Sequence, residues 1–238
     1  MIHEDIFYPS GKEDLEKMLG DRTKKEPERA FIVPHMELRR VATLYREVFS
    51  HIPDGSPITL LLPVHRGKLE KDKDEIAFSP DKDYWDTPCG KVFLRRLPFP
   101  SSASYESEEY TAELFAVCSA YFCPSSVLSI IWTDVKKSGE VRKLVSLISD
   151  FCDNTGTFVV SSNLTGELRG EDLSEKEAEA IALLESGEPL LDAISKGRFK
   201  ACGGPLIELV SRLVPGKWRL IGTVPEEKYA AHAAFYRE

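Results

Sequence analysis

The sequence contains no apolar run that approaches eighteen residues, and its first residues show no basic segment that leads into an apolar one. A membrane-spanning helix and a secretory signal are therefore not expected, and we expect a cytoplasmic protein. Basic residues are also in deficit, because 31 Lys and Arg stand against 39 Asp and Glu, which gives a net charge of −8. This acidic balance argues against binding to the phosphate backbone of nucleic acids.

Cysteines and histidines are few, with five of each among 238 residues. An odd number of cysteines in a long chain argues against a disulfide framework, so each cysteine is a candidate for apolar packing or for metal ligation. No repeat, low-complexity segment or long Pro/Gly linker divides the chain. We therefore expect a single domain that spans residues 1–238.

Short apolar runs alternate with amphipathic stretches along most of the chain. Residues 30–33 and 58–63 have the composition of buried strands, and the stretch between them repeats apolar residues at helical spacing. A strand, a helix and a strand within about forty residues predict a parallel βαβ unit. Because this alternation continues along the chain, we expect a three-layer α/β/α sandwich with a largely parallel, mixed central sheet.

Two of the five histidines come shortly after a proline at the end of a predicted strand. The stretch "IVPH" places His35 after the first strand, and "LLPVH" places His65 after the second. In an open α/β sheet, ligands bind beyond the carboxyl ends of the strands. Since both strands belong to one βαβ unit, we expect the two imidazoles side by side at the same edge of the sheet, within bonding range of one ion.

Two histidines need a third ligand to form a metal site with an open position. Cys202 is the best candidate, because "ACGGPLIELV" places it ahead of two glycines and an apolar helix. A helix amino terminus stabilises a thiolate, and the glycines allow close approach of backbone or substrate. A set of two imidazoles and one thiolate suits Zn, Fe or Cu. The alternative is that all three residues are structural, as capping or core histidines and a buried thiol.

The other three histidines have no predicted role in this pattern. His232 lies inside the predicted strand of residues 230–236, so we expect a core or edge side chain with its hydrogen bonds satisfied. His3 and His51 lie near the amino terminus and near a helix end, where exposure to solvent is expected. These residues therefore lie outside the predicted site.

Six short motifs in register resemble those of the Memo family, which includes proteins named AmmeMemoRadiSam system protein B. In chain order they are "FYP", "IVPH", "LLPVH", "WDTPCGKV", "VVSSN" and "ACGGPLIEL". No single motif is specific, whereas six in the family's order are a much stronger signal. The resemblance covers most of the chain and implies a fold like that of the class III extradiol ring-cleaving dioxygenases. It also implies a metal site whose two histidines and one cysteine fall on His35, His65 and Cys202.

Several positions depart from the family's motifs. The PHAG turn reads "PHME", so Glu37 stands where a small residue is usual, and the EHS helix start reads "EYT", with Glu109 kept and Tyr110 in place of the histidine. The SSD-x-SH turn reads "SSNLTG", so Asn163 replaces the aspartate and Gly166 replaces the second pocket histidine. We expect the pocket beside the metal to be lined by Glu37, Glu109, Tyr110 and Asn163. The loss of two proton-carrying histidines makes ring-cleaving chemistry difficult to transfer to this chain.

Two functions are compatible with this pattern. The first is a divergent metal-dependent enzyme, dioxygenase-like or redox, that carries Fe, Cu or Zn at the carboxyl edge of the sheet and acts on an unknown substrate. The second is a non-catalytic binding, adaptor or metal-carrying protein that uses the same crevice for a peptide or protein. For this second function, the resemblance implies radical-SAM and AMMECR-type partners. Neither nucleic acid nor a membrane is an expected partner.

Overall fold

The computed structural model describes residues 3–65, 75–101, 110–151, 155–165, 173–224 and 230–238. In chain order, the helices within these ranges are α1 (Lys12–Leu19), α2 (Leu38–Ser50), α3 (Tyr110–Phe122), α4 (Ser138–Phe151), α5 (Leu173–Ser186), α6 (Leu190–Ser195) and α7 (Gly204–Leu213). The strands are β1 (Ala30–Val33), β2 (Ile58–Pro63), β3 (Tyr84–Thr87), β4 (Gly90–Leu94), β5 (Val127–Thr133), β6 (Thr157–Ser161), β7 (Trp218–Thr223) and β8 (Ala233–Arg237).

These strands form one mixed sheet. Its order is β3-β4-β5-β2-β6-β1-β8-β7, and the pairs from β4 to β1 are parallel, whereas β3, β8 and β7 pair antiparallel with their neighbours. Helices cover both faces of this sheet. The predicted α/β/α sandwich with a largely parallel, mixed central sheet is therefore confirmed.

Both faces of the central strands are buried, which explains why their sequences are apolar runs without polar alternation. In β1, Phe31 and Val33 pack into a core with α1, α2 and α3, while Ala30 and Ile32 pack into a second core with α4, α5, α6 and α7. Strands β2 and β6 divide their apolar residues between the two cores in the same way. The parallel strands thus end together at one edge, which is the edge expected to hold a site.

The relative position of β1 and β2 differs from the prediction. The sequence predicts neighbouring strands of one βαβ unit, but β6 lies between them and pairs in parallel with both. Adjacent strands lie about 4.8 Å apart, so β1 and β2 are separated by about twice that distance. The two histidines therefore extend from next-nearest strands and face each other across the end of β6.

No helix in the described ranges combines the length and the apolarity that crossing a bilayer requires. The cysteines within these ranges, Cys89, Cys118, Cys123 and Cys202, are all free thiols.

The described part of the sheet contains strands from both ends of the sequence. The extent of a single domain over residues 1–238 stays a prediction.

Candidate metal centre

His35 and His65 meet at the carboxyl edge of the sheet. His35 follows β1 by one proline and is buried, whereas His65 follows β2 and is exposed. The ring centroids lie 4.6 Å apart, with an angle of 68° between the ring planes. The two rings thus meet beyond the end of β6, the strand that separates β1 from β2 in the sheet.

Cys202 completes this cluster from the turn that precedes α7. Its Sγ lies 3.7 Å from Nε2 of His35. One ligand atom from each of His35, His65 and Cys202 lies within 4.8 Å of the other two. Tetrahedral ligands at normal zinc distances are separated by about 3.3–3.8 Å, so a modest inward movement suffices to bind one ion. The structure therefore brings together the three residues predicted as ligands, while their role in metal binding stays a prediction.

The backbone turn that carries His35 is fixed by three side chains. Tyr45 donates a hydrogen bond from its hydroxyl to the carbonyl of Pro34 at 3.1 Å. The amide of His35 donates to Oδ1 of Asn163 at 3.1 Å, and the hydroxyl of Tyr110 donates to the carbonyl of His35 at 3.3 Å. Because these three partners lie on α2, on the turn after β6 and on α3, the position of the His35 backbone is determined from three directions.

The ring of His35 is also oriented by a hydrogen bond. Its Nδ1 lies 2.9 Å from Oγ of Ser161, the last residue of β6. That bond occupies Nδ1 and leaves Nε2 on the side of Cys202, as in metal sites where the second ring nitrogen of a histidine ligand is held by a hydrogen bond. The ring is thus held in an orientation suited to ligation through Nε2.

The thiol of Cys202 lies in surroundings that favour its thiolate. Burial alone would raise the pKa of Cys202, but His35 and His65 outweigh burial and hold this pKa well below the usual thiol range. The backbone amide of Asn163 also donates a hydrogen bond to Sγ at 3.2 Å. Since the thiolate is the form of cysteine that binds metals, these surroundings favour the form of the sulfur that a metal requires.

The pH dependence of alkylation should separate Cys202 from Cys89 in the metal-free protein. Because the pKa of Cys202 is held well below the usual thiol range, its rate of alkylation by iodoacetamide should begin to fall at a lower pH than the rate at Cys89. Burial raises the pKa of Cys89, so its rate should already fall as the pH drops below 9. Peptide mapping by mass spectrometry reports both rates in one sample. Coinciding profiles for the two cysteines would contradict the low pKa of Cys202.

The four residues predicted to line the pocket do not all lie beside the cluster. Tyr110 stacks on Phe7, with ring centroids 3.6 Å apart, and contacts His35 through its hydroxyl, while Asn163 contacts both His35 and Cys202. Glu37 pairs with Arg39 at 2.6 Å and lines a separate cavity of about 400 Å³ together with Phe7. Glu109 lies outside the described residues. Whether any of these residues contacts a substrate stays a prediction.

Two serines at the site were not predicted to contact the cluster. Ser161 and Ser162 lie within the "VVSSN" motif, but a strand end rich in small polar residues does not by itself reveal which histidine it contacts. Ser162 accepts a hydrogen bond from the amide of Gly203 at 2.8 Å, and its Oγ lies 3.6 Å from Sγ of Cys202. The serines therefore connect the end of β6 to both His35 and the Cys202 turn.

The prediction for His232 was wrong in two respects. This residue lies directly ahead of β8 and not inside the strand, and although it is buried, its Nδ1 has no hydrogen-bond partner among the described residues. Burial, together with a smaller effect of the nearby His35, lowers the pKa of His232 to about 4. The apolar alternation of "AAHAAFY" gives no sign that this imidazole lies near the cluster, because the proximity arises from strand pairing.

Comparison with known proteins supports the predicted resemblance. A family model described as "Memo-like protein" matches residues 1–95, a range that contains His35 and His65. This match confirms the predicted resemblance to the Memo family over the range that holds the first four of the six motifs. No curated protein matches the chain. Among solved structures, the crystal structure of the uncharacterized protein JW3007 from Escherichia coli K12 is similar, with a TM-score of 0.48 and 10% identity over 89% of this chain and 100% of that chain.

Proposed function

We propose that this Memo-like protein binds a single metal ion through His35, His65 and Cys202, and that the ion serves a metal-dependent reaction of the redox or dioxygenase-like type. The observation that carries the proposal is the proximity of three potential ligand atoms, all within 4.8 Å of one another, at the carboxyl edge of the sheet. Such an edge is where open α/β sheets bind their ligands.

The donor set restricts the choice of metal. Two imidazole nitrogens and one thiolate suit Zn, Fe or Cu, whereas Ca²⁺ and Mg²⁺ prefer oxygen ligands. Three protein ligands leave at least one position for an exogenous ligand, as in catalytic and not structural zinc sites. His65 is exposed, so the cluster can be reached from solvent.

The protein's own contribution to such a site is to orient the ligand side chains. A bound ion would supply Lewis acidity or electron transfer. Ser161 orients the ring of His35, and Asn163 holds both the His35 backbone and the Cys202 sulfur. Tyr110 also holds the His35 backbone, through the hydrogen bond from its hydroxyl to the His35 carbonyl. These contacts fix two of the three ligands before an ion arrives, which reduces the cost of ordering them on binding.

A second candidate function is metal carriage or partner binding without turnover. It is favoured by the exposure of His65, which gives a partner direct access to one ligand of the cluster. A peptide or protein that enters the same crevice, including the radical-SAM and AMMECR-type proteins associated with AmmeMemoRadiSam system protein B, would then receive the ion or be held by it. A cytoplasmic location is part of both proposals.

Cobalt(II) binding should test which atoms contact the metal. Wild-type protein titrated with cobalt should develop a thiolate-to-metal charge-transfer band, and Cys202→Ser should lose this band and bind cobalt about a hundredfold more weakly. This estimate follows because a four-ligand site contributes about 10–16 kcal/mol, so one ligand contributes roughly 3 kcal/mol. The matched control is Cys89→Ser, which removes a partly buried thiol elsewhere and should keep the band. A band that persists in Cys202→Ser would sink the proposal.

A further inference from the structure

Glu113 is a buried acidic side chain that lies outside the ligand cluster. The residue is 5% exposed, and most of the other buried residues of its helix, α3, are apolar. It does not belong to the group of three potential ligands. A buried carboxyl group is costly unless it is hydrogen-bonded, so the burial of Glu113 indicates a specific role in holding hydrogen-bond donors.

The donors come from the amino-terminal segment, residues 3–8. The hydroxyl of Tyr8 donates a hydrogen bond to Oε2 of Glu113 at 2.8 Å, and the backbone amide of His3 donates to the same oxygen at 3.1 Å. Burial and the bond to Glu113 raise the pKa of Tyr8, so its hydroxyl keeps the proton that it donates. Glu113 thus holds both ends of the amino-terminal segment against α3.

The amino-terminal segment is itself a compact turn. The amide of Asp5 donates a hydrogen bond to the carbonyl of Tyr8 at 2.7 Å, and the amide of Phe7 donates to the carbonyl of His3 at 3.2 Å. These bonds connect the two ends of the segment, so it is held as one unit. The position of Phe7 therefore depends on the bonds that Glu113 accepts from His3 and Tyr8.

Phe7 holds the chain on the carboxyl side of His35. Its carbonyl accepts a hydrogen bond at 2.8 Å from the amide of Leu38, the first residue of α2. The first amides of a helix have no partner within the helix, and the N-cap residue Glu37 makes no capping bond with its side chain. The carbonyl of Phe7 therefore takes the place of a capping side chain, three residues after His35.

Phe7 also supports the side chain that holds the His35 carbonyl. Its ring stacks on the ring of Tyr110, with centroids 3.6 Å apart and an angle of 4° between the ring planes. The hydroxyl of Tyr110 donates to the carbonyl of His35 at 3.3 Å. Tyr110 and Glu113 are three residues apart in α3, so they lie on the same side of this helix. The amino-terminal segment therefore supports the His35 turn at two points, through Leu38 and through Tyr110.

We infer that Glu113 is a positioning residue for the metal ligand His35. Through its bonds to the amino-terminal segment, it keeps Phe7 against Tyr110 and Leu38. These two contacts hold the backbone of His35 in the place where its ring faces Cys202. The inference rests on the proposed function, and it extends the metal centre to a buried carboxyl group that acts through other residues.

Cobalt(II) titration of Glu113 variants tests this inference. Glu113→Leu removes the acceptor of both hydrogen bonds and keeps a side chain of similar size. It should weaken cobalt binding about tenfold and shift the cobalt absorption bands, since the loss of groups that orient metal ligands lowers metal affinity by about 10–100-fold. Glu113→Gln keeps an oxygen acceptor, so it should restore the wild-type bands and most of the cobalt affinity. The band positions report the arrangement of ligands around the ion, which a general loss of stability does not change.

The matched control is Glu208→Leu, which also removes a buried carboxyl group. Glu208 is 4% exposed and accepts a hydrogen bond from the amide of Leu190 at 2.8 Å, on the opposite face of the sheet. Its replacement should lower the free energy of unfolding in urea, as Glu113→Leu does, but leave the cobalt affinity and the absorption bands unchanged.

Three results would overturn the inference while the proposed metal site stands. These are wild-type affinity and bands in Glu113→Leu, an equal loss in Glu113→Leu and Glu113→Gln, and an equal loss in Glu113→Leu and Glu208→Leu. Absence of cobalt binding by the wild type overturns the proposed function itself. If Glu113→Leu does not fold, Tyr8→Phe removes the hydroxyl donor alone and should also shift the bands, and unchanged bands in that variant overturn the inference.

Discussion

Replacing Gly203 with alanine should displace Cys202 from the two histidines and remove most of the affinity for metal. A Cβ atom at this position would lie 2.8 Å from Cβ of Ser162, 3.0 Å from its Oγ and 3.1 Å from the carbonyl oxygen of Ser161. The backbone of Gly203 has φ of −92°, which suits any residue, so the expected effect comes from collision alone and not from backbone strain.

The added Cβ would collide with the two serines at the end of β6, to which the Cys202 turn is joined. Gly203 donates its amide hydrogen bond to Oγ of Ser162, and Ser161 carries the hydroxyl that orients His35. Either the turn or the serines must move, and each movement separates the sulfur from the imidazoles. Overpacking of this kind lowers the free energy of unfolding by about 1–3 kcal/mol.

The matched control is Gly139→Ala in α4. A Cβ atom there meets nothing within 4 Å, and alanine favours a helix, so the stability of this variant should be unchanged or slightly raised. Urea unfolding gives the stability of both variants, and cobalt titration gives their metal affinity. We expect lower stability and much lower cobalt affinity in Gly203→Ala. Gly139→Ala should keep both the stability and the cobalt affinity of the wild type. A Gly203→Ala protein with wild-type cobalt affinity would show that the tight packing of this turn does not position the ligand.

The proximity of the three candidate ligands was predictable because each of these residues follows a local pattern. Apolar runs that end in proline and histidine mark strand ends at His35 and His65, and the glycines after Cys202 mark the start of a helix. Parallel strands bring such ends to one edge whatever their order in the sheet. The two histidines therefore reach the same edge although the predicted adjacency of β1 and β2 was wrong.

The order of the strands was not predictable from local patterns. Strand β6 lies between β1 and β2 although it follows them by more than ninety residues, and only long-range pairing determines this position. The serine contacts of His35 depend on that insertion, because Ser161 reaches the ring from β6. A sequence reading that assumes adjacent strands cannot supply these contacts.

His232 is a second residue whose position could not be predicted from local sequence. Its neighbours in the sequence are alanines, and their pattern predicts an ordinary buried strand residue. The antiparallel pairing of β8 with β1 brings it to the site, and antiparallel pairing of distant segments leaves no signature in either segment. Glu37 illustrates the reverse case, since it lies two residues from His35 in sequence but pairs with Arg39 and lines a separate cavity.

Removal of all three predicted ligands should abolish metal binding while the fold is retained. Each ligand of a structural site contributes roughly 3 kcal/mol, so their joint loss removes the whole binding free energy and not a fraction of it. The fold does not depend on an ion, because two apolar cores on opposite faces of the sheet hold the helices in place. Circular dichroism should therefore give similar spectra for the wild type and for the triple variant His35→Ala, His65→Ala, Cys202→Ala.

The most direct test is elemental analysis of this protein purified without an affinity tag or chelator. The wild type is compared with the triple variant and with a matched control that carries His3→Ala, His51→Ala and Cys89→Ala, which removes the same side-chain types outside the cluster. We expect close to one equivalent of iron, copper or zinc in the wild type and in the control, and essentially none in the triple variant. Equal metal content in all three proteins, or no metal in any of them, would contradict a metal centre at His35, His65 and Cys202.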